Sequence, residues 1–99
     1  MSDAQETAGQ VRSTPEEARR RLGATFQRGE LVWLIGEDYD ANLGLRHLDV
    51  LRQSNFGRWT RQRYRFDEAA DVLYFLGETL LSDDEFAAQR AKGQRFPTA

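Results

Sequence analysis

The chain has 99 residues, of which 39% are hydrophobic and 30% charged, and its formal net charge is -2. This length allows one domain with a modest core, and a charge near zero supplies no general attraction to nucleic acid. The absence of cysteine excludes disulfides, thiolate metal sites and cysteine nucleophiles. The start of the chain lacks a secretory pattern, and no apolar stretch approaches the roughly 20 residues of a membrane span. We therefore expect a cytoplasmic protein.

The N-terminal part of the sequence predicts a tail followed by a helix. Residues 1–12 are small, polar and unpatterned, which indicates a disordered tail ahead of a single domain over residues 13–96. Thr14 can then act as an N-cap, Pro15 suits the first helical position, and Glu17 completes a capping box. These signals predict that the first helix begins directly after Thr14.

The central part predicts two strands with a helix between them. "ELVWLIG", residues 30–36, is a short branched and aromatic run typical of a buried strand. Residues 43–54 place apolar side chains over a wide arc of a helical wheel, and "RWTRQRYRF", residues 58–66, predicts a second strand. This order predicts a right-handed βαβ unit with parallel strands.

The C-terminal part predicts a helical hairpin over residues 67–93. Residues 67–81 are apolar almost all round a helical wheel, and Ser82 with Glu85 forms a capping box for a last helix. The predicted fold is therefore α+β, or a small α/β fold, in the order α-β-α-β-α-α with a minimal two-stranded sheet covered by helices. Because two strands alone are marginally stable, we expect this domain to be buried against a partner.

One C-terminal segment, "ETLLSDDEFAAQRAK", residues 78–92, resembles a known family. The resemblance is to the SHOCT short C-terminal domain, in which a leucine-rich helix turns through a capped start into a second helix. The positions that match in type are Leu80, Leu81, Ser82, Asp83, Asp84, Glu85 and Phe86. Thr79 stands where that family usually has glycine, and Gly93 interrupts the second helix early. The resemblance implies a role in oligomerisation or as an adaptor.

The stretch "DYDANLGLRHLD", residues 38–49, is similar to the calcium loop of EF-hands. Carboxylate, amide and carbonyl oxygens at alternate positions can converge on one hard cation. The candidate ligands are Asp38, Asp40, Asn42, the carbonyl of Gly44, and Asp49. Leu43 replaces the glycine of the sharp turn, and the last ligand is aspartate rather than glutamate. The element before this stretch is also predicted to be a strand instead of a helix. The favoured interpretation is therefore a polar turn in which Asp40 or Asn42 caps the next helix.

His47 is the only histidine and is a candidate catalytic base or metal ligand. It falls inside the apolar arc between Leu43 and Leu51, and no serine, cysteine or second histidine forms an evident relay with it. A partly buried structural histidine is the favoured interpretation. Since the sequence contains none of the common phosphate-binding, zinc-protease or serine-hydrolase motifs, we expect no enzymatic activity and no cofactor.

A strip of arginines is the strongest candidate binding feature. In a strand over residues 58–66, alternate side chains point to opposite sides. Trp59, Arg61, Arg63 and Arg65 would line the outer side, while Thr60, Gln62, Tyr64 and Phe66 would face the core. Residues 46–65 contain six arginines and one aspartate, whereas residues 67–85 contain seven acidic residues and no lysine or arginine. The chain is therefore segregated by the sign of its charge.

Three explanations of this strip remain open. The arginines can pair with acidic residues of the chain itself, Asp67 and Asp71 being the nearest in sequence. They can also form a protein interface, in which arginine and tryptophan are enriched; that partner-binding set is Trp59, Arg58, Arg61, Arg63 and Arg65. The third explanation is a phosphate-binding face. A strand followed by two helices resembles, in outline, the ribbon-helix-helix DNA-binding fold, but Gln62 would then enter an apolar core.

The function predicted from these observations is that of a small non-enzymatic interaction protein. It would serve as an accessory subunit, regulator or adaptor that binds another protein or itself, as a homo-oligomer or a subunit of a larger assembly. The alternative is a small nucleic-acid-binding protein that uses the strand over residues 58–66.

Overall fold

The computed structural model describes residues 14–96, so the tail predicted at residues 1–12 lies outside the described part. The elements are α1 (Pro15–Thr25), β1 (Trp33–Asp40), β2 (Leu45–Gln53), β3 (Trp59–Asp67), β4 (Val72–Leu80), α2 (Asp83–Lys92) and β5 (Gln94–Arg95). The strands form one five-stranded sheet in the order β4-β3-β2-β1-β5, and all four neighbouring pairs are antiparallel. The predicted two-stranded sheet covered by helices, and its parallel βαβ unit, are wrong. Between residues 14 and 96, neither helix has the length and apolar character to cross a membrane.

The helix predicted over residues 43–54 is the strand β2. This strand is central, and it has buried side chains on both faces. Leu48 and Val50 are buried on one face and Leu51 on the other. A strand that is buried on both faces places apolar residues at consecutive positions. The same positions cover a wide arc on a helical wheel, which is why the sequence pattern resembles that of a helix.

The helix predicted over residues 67–81 is also wrong. Asp67 ends β3, residues 68–71 form a turn, and β4 returns alongside β3. Since β4 carries apolar side chains on both faces, it also looks uniformly apolar on a helical wheel. Its valine, tyrosine and phenylalanine content favours a strand. Asp71 has a φ of 52°, the left-handed conformation that aspartate tolerates in a turn.

The hairpin turns before β2 and β3 each contain a glycine in the left-handed region. Gly44 has a φ of 67° and donates its amide to the carbonyl of Asp40 at 2.7 Å. Gly57 has a φ of 80° and bonds to Ser54 in the same way at 2.9 Å. Turns of three to five residues that end in a left-handed residue are common in hairpins. Together with the Asp71 turn between β3 and β4, they account for the up-and-down order of β1 to β4.

The helix α1 covers one face of the sheet, which we call the α1 face. Its predicted start is confirmed: the hydroxyl of Thr14 accepts a hydrogen bond from the amide of Glu17 at 3.2 Å, and Pro15 occupies the first turn. The helix packs its apolar side onto the middle of the sheet. The buried cluster consists of Ala18, Leu22, Phe26, Val32, Leu48, Val50, Tyr64, Phe66 and Phe96.

The helix α2 packs on the opposite face, which we call the arginine face. The predicted capping box is confirmed, since Ser82 accepts from the amide of Glu85 and the Glu85 carboxylate accepts from the amide of Ser82. Phe86 holds the helix to the sheet: its ring stacks on Trp59 at 4.1 Å and meets Trp33 edge-on at 5.8 Å. The rest of the arginine face is not covered by any element between residues 14 and 96.

Candidate interaction surface

The predicted alternation along β3 is confirmed. Tyr64 and Phe66 are buried on the α1 face, and Thr60 and Gln62 are buried beside them. Arg61, Arg63 and Arg65 occupy the arginine face. The strand therefore separates a core side from a charged side, as its period of two requires.

Two members of the predicted partner-binding set do not lie on the free surface of this face. Trp59 is half-buried beneath α2, where Phe86 covers one side of its indole ring. Arg58 precedes β3 and belongs to the β2–β3 turn, where its backbone amide donates to the hydroxyl of Ser54 at 3.3 Å. The uncovered part of the strip therefore consists of Arg61, Arg63 and Arg65.

An arginine of the strip does pair with acidic residues of the same chain, but these are not the residues nearest to it in sequence. Arg63 donates to the carboxylate of Asp49 at 2.8 Å and to that of Asp38 at 3.4 Å. Although partial burial opposes ionisation, these two carboxylates raise the pKa of Arg63 above its ordinary value. Asp71, one of the expected partners, lies instead near the guanidinium groups of Arg20 and Arg21, each at 3.9 Å.

The other two arginines differ from Arg63. The guanidinium of Arg65 lies over the ring of Tyr74, with 4.8 Å to the ring centroid, a cation–π arrangement between adjacent strands. Arg61 is exposed, and within residues 14–96 it has no ion pair. Of the three, Arg61 is therefore the residue best able to meet a charged group of another molecule.

A shallow depression of about 450 Å³ lies beside Arg61 and Arg63, at residues 76–79 of β4. Gly36, Asp49, Arg63 and Gly77 stand opposite one another across four strands. A glycine at each end of this row leaves the Asp49–Arg63 pair without side-chain cover from β1 or β4. The depression is bordered by β2, β3 and the edge strand β4, so it lies beside the free edge of the sheet.

The free edge of β4 is the most unusual part of this surface. β4 pairs with β3 on one side only, and no described strand pairs with its other side. Four of its large apolar side chains are exposed: Tyr74, Phe75, Leu76 and Leu80. Its one charged residue is Glu78. Edge strands are usually short, charged or covered, because their unpaired backbone groups can pair with another chain.

Hydrogen bonds fix Glu78 on the α1 face of this edge. The Tyr64 hydroxyl donates to the Gln62 carbonyl oxygen at 2.6 Å, and the Gln62 amide donates to Glu78 at 3.0 Å. Burial raises the pKa of Tyr64, so its hydroxyl stays protonated and remains a donor. The polar Gln62, which argued against a ribbon-helix-helix fold, thus has its amide group satisfied inside the domain.

The proposed calcium ligands do not form an EF-hand loop. Asp38, Asp40 and Asp49 lie on the two strands of the β1–β2 hairpin, and Asn42 lies in its turn. Asp40 accepts from the amides of Asn42 and Leu43 at 3.0 and 3.2 Å, so it caps the turn. Asp38 and Asp49 are bridged by Arg63. Within residues 14–96, no three acidic or histidine side chains are grouped as metal ligands.

His47 lies next to the same acidic residues. It pairs across the sheet with Asp38 and Arg65, and its Nδ1 is 3.5 Å from the Asp38 carboxylate. Its side chain is mostly buried, with 12% of its surface accessible. His47 is therefore a mostly buried side chain that lies between neighbouring strands of the sheet.

A larger groove of about 940 Å³ lies on the α1 face, between α1 and β5. Its lining includes Phe26, Leu34 and Phe96, and its rim includes Arg28 and Arg95. The two phenylalanines belong to the buried core. The groove is therefore a gap at one side of the α1 packing, separate from the arginine face.

Comparison with known proteins found no matching family, no similar curated protein and no similar solved structure. The geometry of the chain itself therefore carries the functional argument.

The residues that sequence reasoning missed are those of the β4 edge. Tyr74, Phe75 and Leu76 were assigned to a helix that needed cover on several sides. The sequence does show that this segment is unusually apolar, and this property is the signal that could have identified it. In the structure it marks an edge strand with exposed side chains.

Proposed function

We propose that this protein is a non-enzymatic binding module, acting as an accessory subunit, regulator or adaptor, that takes up an extended segment of a protein chain at the edge of β4. The observation that carries this proposal is a nine-residue edge strand with exposed apolar side chains on both faces. Strand addition to such an edge supplies backbone hydrogen bonds for affinity and side-chain contacts for specificity. We place this activity in the cytoplasm.

Arg61 and Arg63 add a second element to the binding surface. They lie on β3 directly behind the edge, and the neighbouring depression opens beside Gly77. An incoming segment paired with β4 would therefore bring its arginine-face side chains close to Arg61, and an acidic residue there would meet a charge that is exposed. Steering of this kind raises association rates more than it raises final affinity.

Nucleic acid is the less favoured ligand on the same geometry. A phosphate-binding face that stacks bases needs an accessible aromatic ring and free cations. Here the Trp59 ring is stacked on Phe86, Arg65 lies over the Tyr74 ring, and Arg63 is paired with two carboxylates. Of the arginines of β3, this leaves Arg61 as the exposed one without an ion pair among the described residues, and a single such cation is a weak phosphate-binding face.

The test compares wild-type protein with two matched variants. Leu76→Lys places a charge on the exposed edge, whereas Leu43→Lys makes the same change at a more exposed leucine in the β1–β2 turn. Each immobilised protein is exposed to native lysate containing the tagged wild-type chain. We expect a polypeptide, either another protein or the tagged chain, that the wild type and Leu43→Lys retain and Leu76→Lys loses. If every retained polypeptide binds all three proteins equally, the proposal is wrong.

A further inference from the structure

We infer that the segment taken up at β4 is the β4 strand of a second copy, so that two sheets join in an antiparallel pair about a two-fold axis at Tyr74. This inference rests on the proposed function and names its partner. In a pair of this kind, each residue of one copy meets the residue equally far on the other side of Tyr74 in its partner. Residues 73–75 of the two copies would then lie directly opposite one another, and the β-bulge at Leu76 marks the end of this regular stretch.

The two faces of β4 agree with this register. Leu73 and Phe75 lie on the α1 face, opposite Phe66 and Tyr64 of β3, and the two-fold axis places each of them opposite the other in the partner. Tyr74 meets itself, and Val72 lies near Leu76 of the second copy, where a β-bulge in β4 ends the regular pairing. Every residue in the segment is uncharged, so self-pairing sets apolar side chains together and opposes no like charges.

Charge at the ends of the pair is complementary as well. Beyond the bulge, the strand direction brings Glu78 of one copy beside the β3–β4 turn of the other. Arg20 and Arg21 lie at that turn, on the α1 face, where the Nε of Arg21 donates to the carbonyl of Asp71 at 3.2 Å. Glu78 is fixed on the same face by Gln62. Each copy would therefore bring one carboxylate to two guanidinium groups of its partner.

The opposite edge of the sheet explains why pairing would stop at two copies. β5 covers Trp33 and Leu34 of β1. The rest of the β1 edge carries three carboxylates, at Glu37, Asp38 and Asp40. Charged residues on an edge prevent further strand pairing. Joining two β4 strands leaves only these protected edges, which predicts a closed dimer.

A first experiment uses the absence of cysteine from the chain. Directly opposed residues of an antiparallel pair lie about 4.5–5.5 Å apart between Cα atoms, within the roughly 4.4–6.8 Å that a disulfide spans. Under mild oxidation we expect Tyr74→Cys to form a covalent dimer, whereas Leu43→Cys, in an exposed turn, remains monomeric. Equal cross-linking of the two variants, or none in either, contradicts the two-fold axis at Tyr74.

A second experiment tests the charges, with self-association followed by light scattering and analytical ultracentrifugation. Glu78→Arg and Arg21→Glu should each weaken homodimerisation by about tenfold or more, because like charges then face each other twice. A mixture of the two variants should dimerise again, since both contacts of the mixed pair are of opposite sign. A mixture that remains monomeric, or a wild-type protein that is monomeric or forms open-ended aggregates, overturns the inference.

Failure of the dimer is distinguishable from failure of the binding module. If the purified wild type is monomeric while another protein binds it in a manner abolished by Leu76→Lys, then the partner is a different chain and only this inference is wrong. If nothing depends on Leu76, both are wrong.

Discussion

Replacing Trp59 by alanine is a direct test of how α2 is attached to the sheet. Trp59 stacks on Phe86 at 4.1 Å and meets Trp33 edge-on at 5.6 Å, so its removal leaves Phe86 without its main contact. We expect a clear loss of stability, in contrast to an outward-facing tryptophan, whose removal would affect binding alone.

The size of this loss follows from the burial of the ring. Truncating a fully buried tryptophan to alanine costs about 3–5 kcal/mol, and Trp59 is half-buried, so the burial contribution is about 2 kcal/mol. The stacked and edge-on aromatic pairs bring the expected total to about 3 kcal/mol. In a domain of this size, that change lowers the melting temperature by roughly 12–24 °C.

Thermal unfolding followed by circular dichroism and calorimetry measures the effect. Trp59→Phe keeps an aromatic ring against Phe86 and should recover much of the loss. Phe56→Ala is the control, because Phe56 is 92% exposed in the β2–β3 turn and its removal should change stability by less than about 0.5 kcal/mol. If Trp59→Ala unfolds within about 0.5 kcal/mol of the wild type, the ring does not hold α2 to the sheet.

Two further predictions concern the capping box of α2. Ser82→Ala should lower the free energy of unfolding by about 1 kcal/mol in urea titration, because the amide of Glu85 loses its acceptor; an unchanged unfolding midpoint would argue against this cap. Hydrogen bonds from the backbone amide and side chain of Ser82 hold the pKa of Glu85 below its ordinary value of 4.5. The stabilisation from Glu85 is therefore present above pH 4.5 and lost as the pH falls through the lowered pKa. Below pH 4.5, the melting temperature of the wild type should therefore fall more steeply than that of Glu85→Gln. Parallel curves for the two proteins would contradict this assignment.

The features that could be predicted from the sequence are those determined within a few residues. The caps at Thr14 and Ser82 depend on side chains three positions away, and the alternation in β3 depends on the period of a strand. The predictions for the segments that form β2 and β4 were wrong for the same physical reason. Each has apolar residues on both faces, and periodicity alone does not separate a two-faced strand from a helix.

The arrangement of the arginine face depends on contacts between distant parts of the chain. The Asp49–Arg63 pair requires the register of β2 against β3, and the cover on Trp59 comes from Phe86, which lies on another element. Neither contact can be predicted from the pattern of residues that are close together in the sequence. The outward direction of Arg61 was predictable because it depends only on β3 being a strand with Tyr64 on its buried side.

Both tryptophans of the chain, Trp33 and Trp59, lie in the contact between α2 and the sheet, while the cluster beneath α1 contains phenylalanine and tyrosine but no tryptophan. Intrinsic tryptophan fluorescence therefore reports the docking of α2 and not the packing of α1. Far-ultraviolet circular dichroism reports the secondary structure of the whole domain. Agreement between the two unfolding curves is a test of two-state behaviour that needs no label. An earlier fluorescence transition would identify α2 as a unit that separates before the sheet unfolds.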